Sequence, residues 1–345
     1  MTEFTGYIGT YTKEKSKGVY KFTLDTEKQR ITEVTLAAEL DNPTYLTLGN
    51  HGDFLYSVAK EGDSGGIVAF SIGEKGNLIK LNDQMMPGSP PCHLSISNDS
   101  HNILTANYHT TVIASYLTNE DGSLQTPEEI IKHEGFGPHE RQEKPHLHFA
   151  GFSPDEKYAV VVDLGSDRII TYEVNGGKLQ RKNVFQTSPG SGPRHIVFHP
   201  NGNFAYVMTE LSSEVLVFEY NQMDGRFNEI QAIPTIPNDF NEVNDGSAIQ
   251  ISSDGNFIYA GNRGHNSIAV FKVDEESGFL NFVEWTSTEG DWPRDFSLDP
   301  SEEFLVASNQ KSNSLTLFQR DKTKGSLTLL QSDVYVPEPV CVKFR

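Results

Sequence analysis

The sequence predicts an all-β fold: a seven-bladed β-propeller, closed by N-terminal strands that pair with the C-terminal strand in one blade. Three observations carry this reading. A strand–turn–strand unit recurs six times, the copies are evenly spaced, and the two chain ends are complementary fragments of a seventh copy.

The unit is clearest at Pro193 to Val207, PRHIVFHPNGNFAYV. An alternating strand leads into a turn rich in Pro, Asn and Gly, and a second apolar strand follows. The same pattern returns as SAIQISSDGNFIYAG from Ser247, RDFSLDPSEEFLVAS from Arg294 and LHFAGFSPDEKYAVVV from Leu147. Thinner copies are PTYLTLGNHGDFLYSV from Pro43 and PCHLSISNDSHNILTA from Pro91. Each copy continues into a third strand, such as GGIVAF, DRIITYEV or NSIAVFKV, and then a more polar fourth, such as GNLIKLND. Aromatic positions that recur with the repeat, Phe198, Tyr206, Phe257, Tyr259 and Phe304, are expected in the core.

The units start at Pro43, Pro91, Leu147, Pro193, Gly246 and Pro293, at spacings of 48, 56, 46, 53 and 47 residues. Four strands in about 40–50 residues is the propeller period. PEPVCVKFR at the C-terminus resembles only a first strand, and TGYIGTYT, KGVYKFTLD and QRITEV at the N-terminus resemble only the last three. Joined, they make a seventh blade and remove the exposed sheet edges. The expectation is one propeller domain over residues 1–345.

In such a ring the first strand of each blade lines a central channel, and the second runs antiparallel to it. The start of the first strand and the end of the second therefore share one face of the disk. The position before the first strand reads Thr44, Cys92, His148, Arg194, Ser247, Arg294 and Val340. The position ending the second strand reads Lys60, Tyr108, Leu164, Glu210, Arg263, Gln310 and, approximately, Tyr11. Charged residues thus converge on one mouth of the channel: Arg194, Arg263 and Arg294 with His148 and Glu210. A lone arginine or glutamate at a strand end is ordinarily a solvated surface charge. Several at matched positions on one side are not.

The segment GFGPHERQEKPHLHF, Gly135 to Phe149, lengthens one connection and carries His139, His146 and His148. A His-x-His pair on a regular strand points both rings one way, which raises a divalent metal at His146 and His148 as an option, with Glu143 or Asp163 as a further ligand. No third ligand follows from spacing, so the expectation is no metal and no cofactor. Cys92 reads as a small buried residue rather than a nucleophile.

Net charge is −19, which excludes sequence-independent nucleic-acid binding and leaves any anion site to local cations. Two cysteines provide no disulfide framework. MTEFTGYIGTYTKEK lacks the pattern of a signal peptide, and no apolar run is long enough to span a bilayer. A cytoplasmic protein without membrane or nucleic-acid partners is expected. There is no G-x-S-x-G elbow, phosphate-binding P-loop or dinucleotide fingerprint.

The blocks PHLHFAGFSPD, GSGPRHIVFHPNG…AYVMTELSSEV, NRGHNSIAVF and WPRDFSLDP resemble the seven-bladed propeller lactonase family over nearly the whole chain. That family includes propeller-type 6-phosphogluconolactonases and the fungal carboxymuconate-lactonizing enzyme. The resemblance implies a site at the channel mouth in which His148, Arg194, Arg263 and Glu210 are catalytic. Arg294, His146 and Gln310 are expected to bind substrate, a small and phosphorylated lactone. The implied reaction is hydrolysis of 6-phosphoglucono-1,5-lactone to 6-phosphogluconate, with His148 or Glu210 as the base. Another lactone, a muconate-type cyclisation on the same site, and a non-enzymatic binding propeller are the alternatives.

Overall fold

A computed structural model of the chain describes residues 3–49 and 51–345. Asn50, in the first of the expected turns, lies outside them. Among the described residues, 28 strands form seven four-stranded sheets. Six blades follow in chain order: residues 46–87 (β4–β7), 93–132 (β8–β11), 147–186 (β12–β15), 193–234 (β16–β19), 245–287 (β20–β23) and 293–335 (β24–β27). The closing blade joins β28 (Pro339–Phe344) to β1 (Glu3–Thr10), β2 (Gly18–Asp25) and β3 (Arg30–Glu39), in the order β28-β1-β2-β3. Every neighbouring pair is antiparallel, and β1 pairs with β28 from Gly6–Phe344 to Thr10–Pro339. No helix among the described residues is long and apolar enough to cross a membrane.

The first strands form the inner wall. β4 (Leu46–Leu48) and β8 (His93–Ile96) are short, whereas β12 (Leu147–Phe152), β16 (Pro193–Phe198), β20 (Asp245–Ile251) and β24 (Pro293–Leu298) run six or seven residues. The thin copies of the repeat are thus the short strands.

The core lies between adjacent blades. Phe204, Tyr206 and Met208 of one sheet pack against Ile258, Ala260 and Phe271 of the next. The recurrent tyrosines also tie blade to blade, because their buried hydroxyls donate to carbonyls in a turn of the following blade. Tyr56 reaches Gly122 at 2.9 Å, Tyr206 reaches Gly278 at 3.1 Å and Tyr259 reaches Gly325 at 2.9 Å. Such a hydroxyl would cost 1–3 kcal/mol or so if left unpaired. Gly325 must be glycine: its φ is +76°, and a Cβ there would stand 2.2 Å from Phe257 Cδ1. Four of the five recurrent aromatics are buried as expected. Phe198 is half-buried and packs on the rim of its cluster.

The inner strands carry a regular irregularity. In β12, Leu147 faces Asp163 and Phe149 faces Val162, so His148 is an extra residue. Arg194 is extra between Pro193 and His195, and Arg294 between Pro293 and Asp295. Val340 is the counterpart in β28, and in β20 the shift spans Gly246 to Ile249. Placed by sequence just before the strands, these residues are β-bulges within them. A bulge breaks the period-2 alternation and re-aims the side chain. That is how the fold turns one ring position toward the channel mouth.

Candidate active site

Glu210 follows β17 (Phe204–Thr209), where its backbone N–H donates to the Gly192 carbonyl at 2.7 Å. Its carboxylate is buried and meets three guanidinium groups. Oε2 accepts from Arg194 Nε at 3.0 Å and forms an ion pair with Arg263 Nη2, 2.7 Å away, and Oε1 accepts from Arg141 Nη2. Burial alone would raise this carboxyl, but Arg263 and Arg194, with His148 and Arg141, outweigh it and hold Glu210 well below the usual carboxylate range.

The arginines are themselves fixed. Arg194 donates through Nη1 to the Ser247 carbonyl at 2.7 Å and lies 3.3 Å from His195 Nε2. Arg263 ends β21 (Phe257–Arg263), donates to the Gly246 carbonyl at 2.6 Å and stands over the Trp292 ring at 5.6 Å. Burial, then repulsion from Arg263, draws Arg194 down to about 10, still charged near neutrality. Arg141 bridges Glu210 and Asp245, with Nη1 2.9 Å from Asp245 Oδ1. It arrives on the long connection before β12, held there by Gln142, whose Nε2 donates to the Leu164 carbonyl at 2.8 Å and to Asp167 Oδ1 at 2.7 Å.

Above this cluster opens a cavity of about 630 Å³ to which every blade contributes. Its wall carries five cationic side chains, Lys13, Lys60, Arg141, Arg263 and Arg294, against the carboxylates of Asp63 and Glu210. In a chain of net charge −19, this excess makes the cavity a seat for an anion. His148 also lines it. Among the described residues no hydrogen bond reaches either of its ring nitrogens, and Nδ1 is sealed from solvent. Burial, reinforced by Arg194, pushes His148 well below the usual histidine range, so the imidazole is neutral near pH 7.

Beneath the floor the channel is filled by rings: His195 lies 5.1 Å from His148 and 5.4 Å from His93, and Tyr45 lies 4.4 Å from His93. Cys92 lines both levels, and its thiol is directed at the Leu147 carbonyl, 3.3 Å away. Burial pushes that thiol up to about 11, which makes it a protonated filler rather than a thiolate.

The structure therefore brings together His148, Arg194, Glu210 and Arg263, with Arg294 on the same cavity wall. It does not bring His146 or Gln310 to that wall. His146 stacks on Tyr108 at 4.0 Å, and its nitrogens are engaged: Nδ1 lies 2.9 Å from the Tyr108 carbonyl and Nε2 3.2 Å from Glu143 Oε2. The bulge at His148 is why the two histidines do not act as a strand-spaced pair. Asp163 is likewise occupied, accepting the backbone N–H groups of His146 and Gly165 at 2.8 and 3.0 Å. Among the described residues no three His, Cys, Asp or Glu side chains are placed to hold a metal ion, and His146, Glu143 and Asp163 spend ligand atoms on the contacts just given. Gln310 is half-buried, and its backbone N–H donates to the Trp292 carbonyl at 3.1 Å.

Sequence reasoning missed Arg141 and Lys13, both on the cavity wall. The unusual length of the connection was a signal for Arg141. Yet HERQEK alternates charge, and nothing local says which member turns inward.

A seven-bladed propeller with a cation-rich cavity over one mouth of its channel, a neutral imidazole on the wall and a carboxylate clamped by arginines has the build of an enzyme for a small molecule. The chain belongs to the seven-bladed β-propeller lactonase family, whose model matches residues 5–344. It is 52% identical over 345 residues to the 6-phosphogluconolactonase of Bacillus subtilis, covering 100% of this chain and 99% of that protein. The crystal structure of a protein from Lactobacillus plantarum superposes with a TM-score of 0.97 at 41% identity, over 100% of both chains. The solved structure of a periplasmic gluconolactonase from Pseudomonas aeruginosa does so with a TM-score of 0.94 at 31% identity, over 99% of both chains.

Proposed function

We propose that the protein hydrolyses 6-phosphoglucono-1,5-lactone to 6-phosphogluconate, in the cytoplasm and without a metal or other cofactor. The observation that carries the reading is the neutral, unpartnered His148 imidazole on the wall of a cavity whose guanidinium groups outnumber its carboxylates. The full-length likeness to the Bacillus subtilis enzyme supports the same substrate.

The chemistry follows from those charges. Water attacks the lactone carbonyl carbon, and the His148 imidazole takes its proton through Nε2, the nitrogen not sealed from solvent. Glu210 is not free to take that proton, because both of its oxygens are committed to Arg141, Arg194 and Arg263. Its role is to hold Arg194, Arg263 and Arg141 in one array. The tetrahedral intermediate carries negative charge on the former carbonyl oxygen, and Arg263 on the cavity wall stabilises it. The carbonyl-carbon to ring-oxygen bond then breaks, the imidazolium returns its proton to the leaving oxygen, and the open-chain acid formed loses its remaining proton to solvent to give the carboxylate. Arg294, the arginine not committed to Glu210, is left to bind the 6-phosphate.

The test is hydrolysis of freshly generated 6-phosphogluconolactone, coupled to 6-phosphogluconate dehydrogenase and corrected for spontaneous opening. Glucono-1,5-lactone is run beside it, both with and without EDTA. Preference for the phosphorylated lactone that survives chelation is expected. A corrected rate of zero on that lactone removes the assignment, and a rate abolished by EDTA and restored by a divalent ion removes the metal-free scheme.

A further inference from the structure

We propose that Lys13 is a specificity-determining residue: with Arg294 it forms a phosphate seat around the Tyr11 ring, separate from the arginines that Glu210 holds. The inference rests on the phospholactonase reading and adds the residues that would tell a phosphorylated lactone from a plain one.

Guanidinium groups already sharing a carboxylate have less to offer a second anion. Arg141 and Arg263, on the cavity wall, both share Glu210. Among the described residues Arg294, Lys13 and Lys60 line the same cavity without a carboxylate partner. Two of these converge on one ring: Lys13 Nζ lies 4.2 Å from the Tyr11 centroid and the Arg294 guanidinium 5.5 Å from it. The shared ring leaves the two cations at most about 9.7 Å apart, where like charges repel. An anion that accepts from both relieves the repulsion, and a phosphate has the charge and the oxygens to do so.

The loop that presents Lys13 is built rather than free. Glu338, itself buried, accepts the backbone N–H of Lys13 at 3.2 Å and of Glu14 at 2.9 Å, and its carbonyl takes the Tyr11 N–H at 3.0 Å. Glu338 stands just before β28, so the contacts that close the ring also fix the seat. Lys13 is exposed at its edge, where a phosphate enters with little desolvation of the ammonium group. A plain sugar lactone has no group to place there.

The test compares Lys13→Met, Lys13→Arg and, as a surface control, Lys15→Met on 6-phosphogluconolactone and glucono-1,5-lactone. Lys13→Met is expected to raise KM for the phosphorylated lactone roughly ten- to a hundredfold, the loss of one charge-assisted hydrogen bond. Its kcat should stay within about twofold, the unphosphorylated lactone should respond far less, and Lys13→Arg should recover most of the loss. Equal losses on both lactones, no loss on either, or a matching loss in Lys15→Met overturns the proposal. If the wild-type protein hydrolyses neither lactone, the functional reading fails and the seat is judged by calorimetry with 6-phosphogluconate and gluconate. Weaker binding of only the phosphorylated acid by Lys13→Met supports the seat. Unchanged binding, or no wild-type binding of 6-phosphogluconate, overturns it.

Discussion

Arg194 and Glu210 flank a single hairpin, sixteen positions apart, and meet in a buried ion pair with Arg194 Nε 3.0 Å from Glu210 Oε2. The bulge at Arg194 brings the guanidinium to the end of the neighbouring strand. Arg263, from the next blade, shares the same oxygen. The pair, with Arg263, is thus a stitch between blades at the floor of the cavity.

Glu210→Gln should be costly to stability and to turnover. It leaves three guanidinium groups facing one another with only Asp245 to offset Arg141. Removing one partner of a buried pair costs about 3–5 kcal/mol. Urea unfolding should register a loss of that size, with turnover lost as well. A variant within about 1 kcal/mol of wild type would show that the array is not what holds the two blades together there.

His148→Asn should keep the fold and lose the chemistry. General-base contributions are typically 10²- to 10⁴-fold, and a drop of roughly that size in kcat, with KM little changed, is expected. Because burial keeps the imidazole deprotonated, the wild-type kcat/KM corrected for spontaneous opening should be level from about pH 6.5 upward. A profile rising through pH 7–8 would assign the proton transfer to a different group.

Arg141→Lys keeps the charge but not the fork that spans Glu210 and Asp245. Losing one charge-assisted hydrogen bond predicts a fall in kcat/KM of roughly ten- to a hundredfold. Stability should change little, since the side chain is 37% exposed. Wild-type kinetics in this variant would reduce the long connection to a cover.

The channel histidines predict the acid response. Burial holds His93, His148 and His195 well below the ordinary value of 6.5, so they stay neutral in the folded state. The unfolded chain takes up these protons as pH falls through 6.5 and the folded chain does not. Their contribution is therefore complete above about pH 6.5 and declines as pH drops below it. Glu210 is shifted downward from 4.5, so its contribution persists until pH falls below that value. Thermal midpoints should be level from pH 8 to 7 and fall steadily from 6.5 to 5, with a shallower fall in His93→Gln. A midpoint constant to pH 5 would contradict the buried neutral state.

Much of the site was legible because the fold repeats. Once the blades are aligned on their turns, His148, Arg194, Arg263, Arg294 and Glu210 fall at two equivalent positions, and the structure places all five at one mouth. His146 lies off the cavity wall for a local reason: the alternation rule assumes a regular strand, and a bulge interrupts this one at His148. Gln310 occupies the right ring position but does not line the cavity, and ring counting fixes a backbone position without fixing where its side chain ends.

The sequence by itself determined the number of blades, the closure of the ring by its two ends, and the face on which the charges gather. Those follow from periodicity, which is a property of the chain. Only the tertiary structure decided which cations are shared with Glu210 and which face the cavity unpaired, and that Arg141 and Lys13 join the site from loops. Those depend on where side chains from distant segments end, set by bulges and by loops pinned through Gln142 and Glu338, and no local pattern encodes such distances.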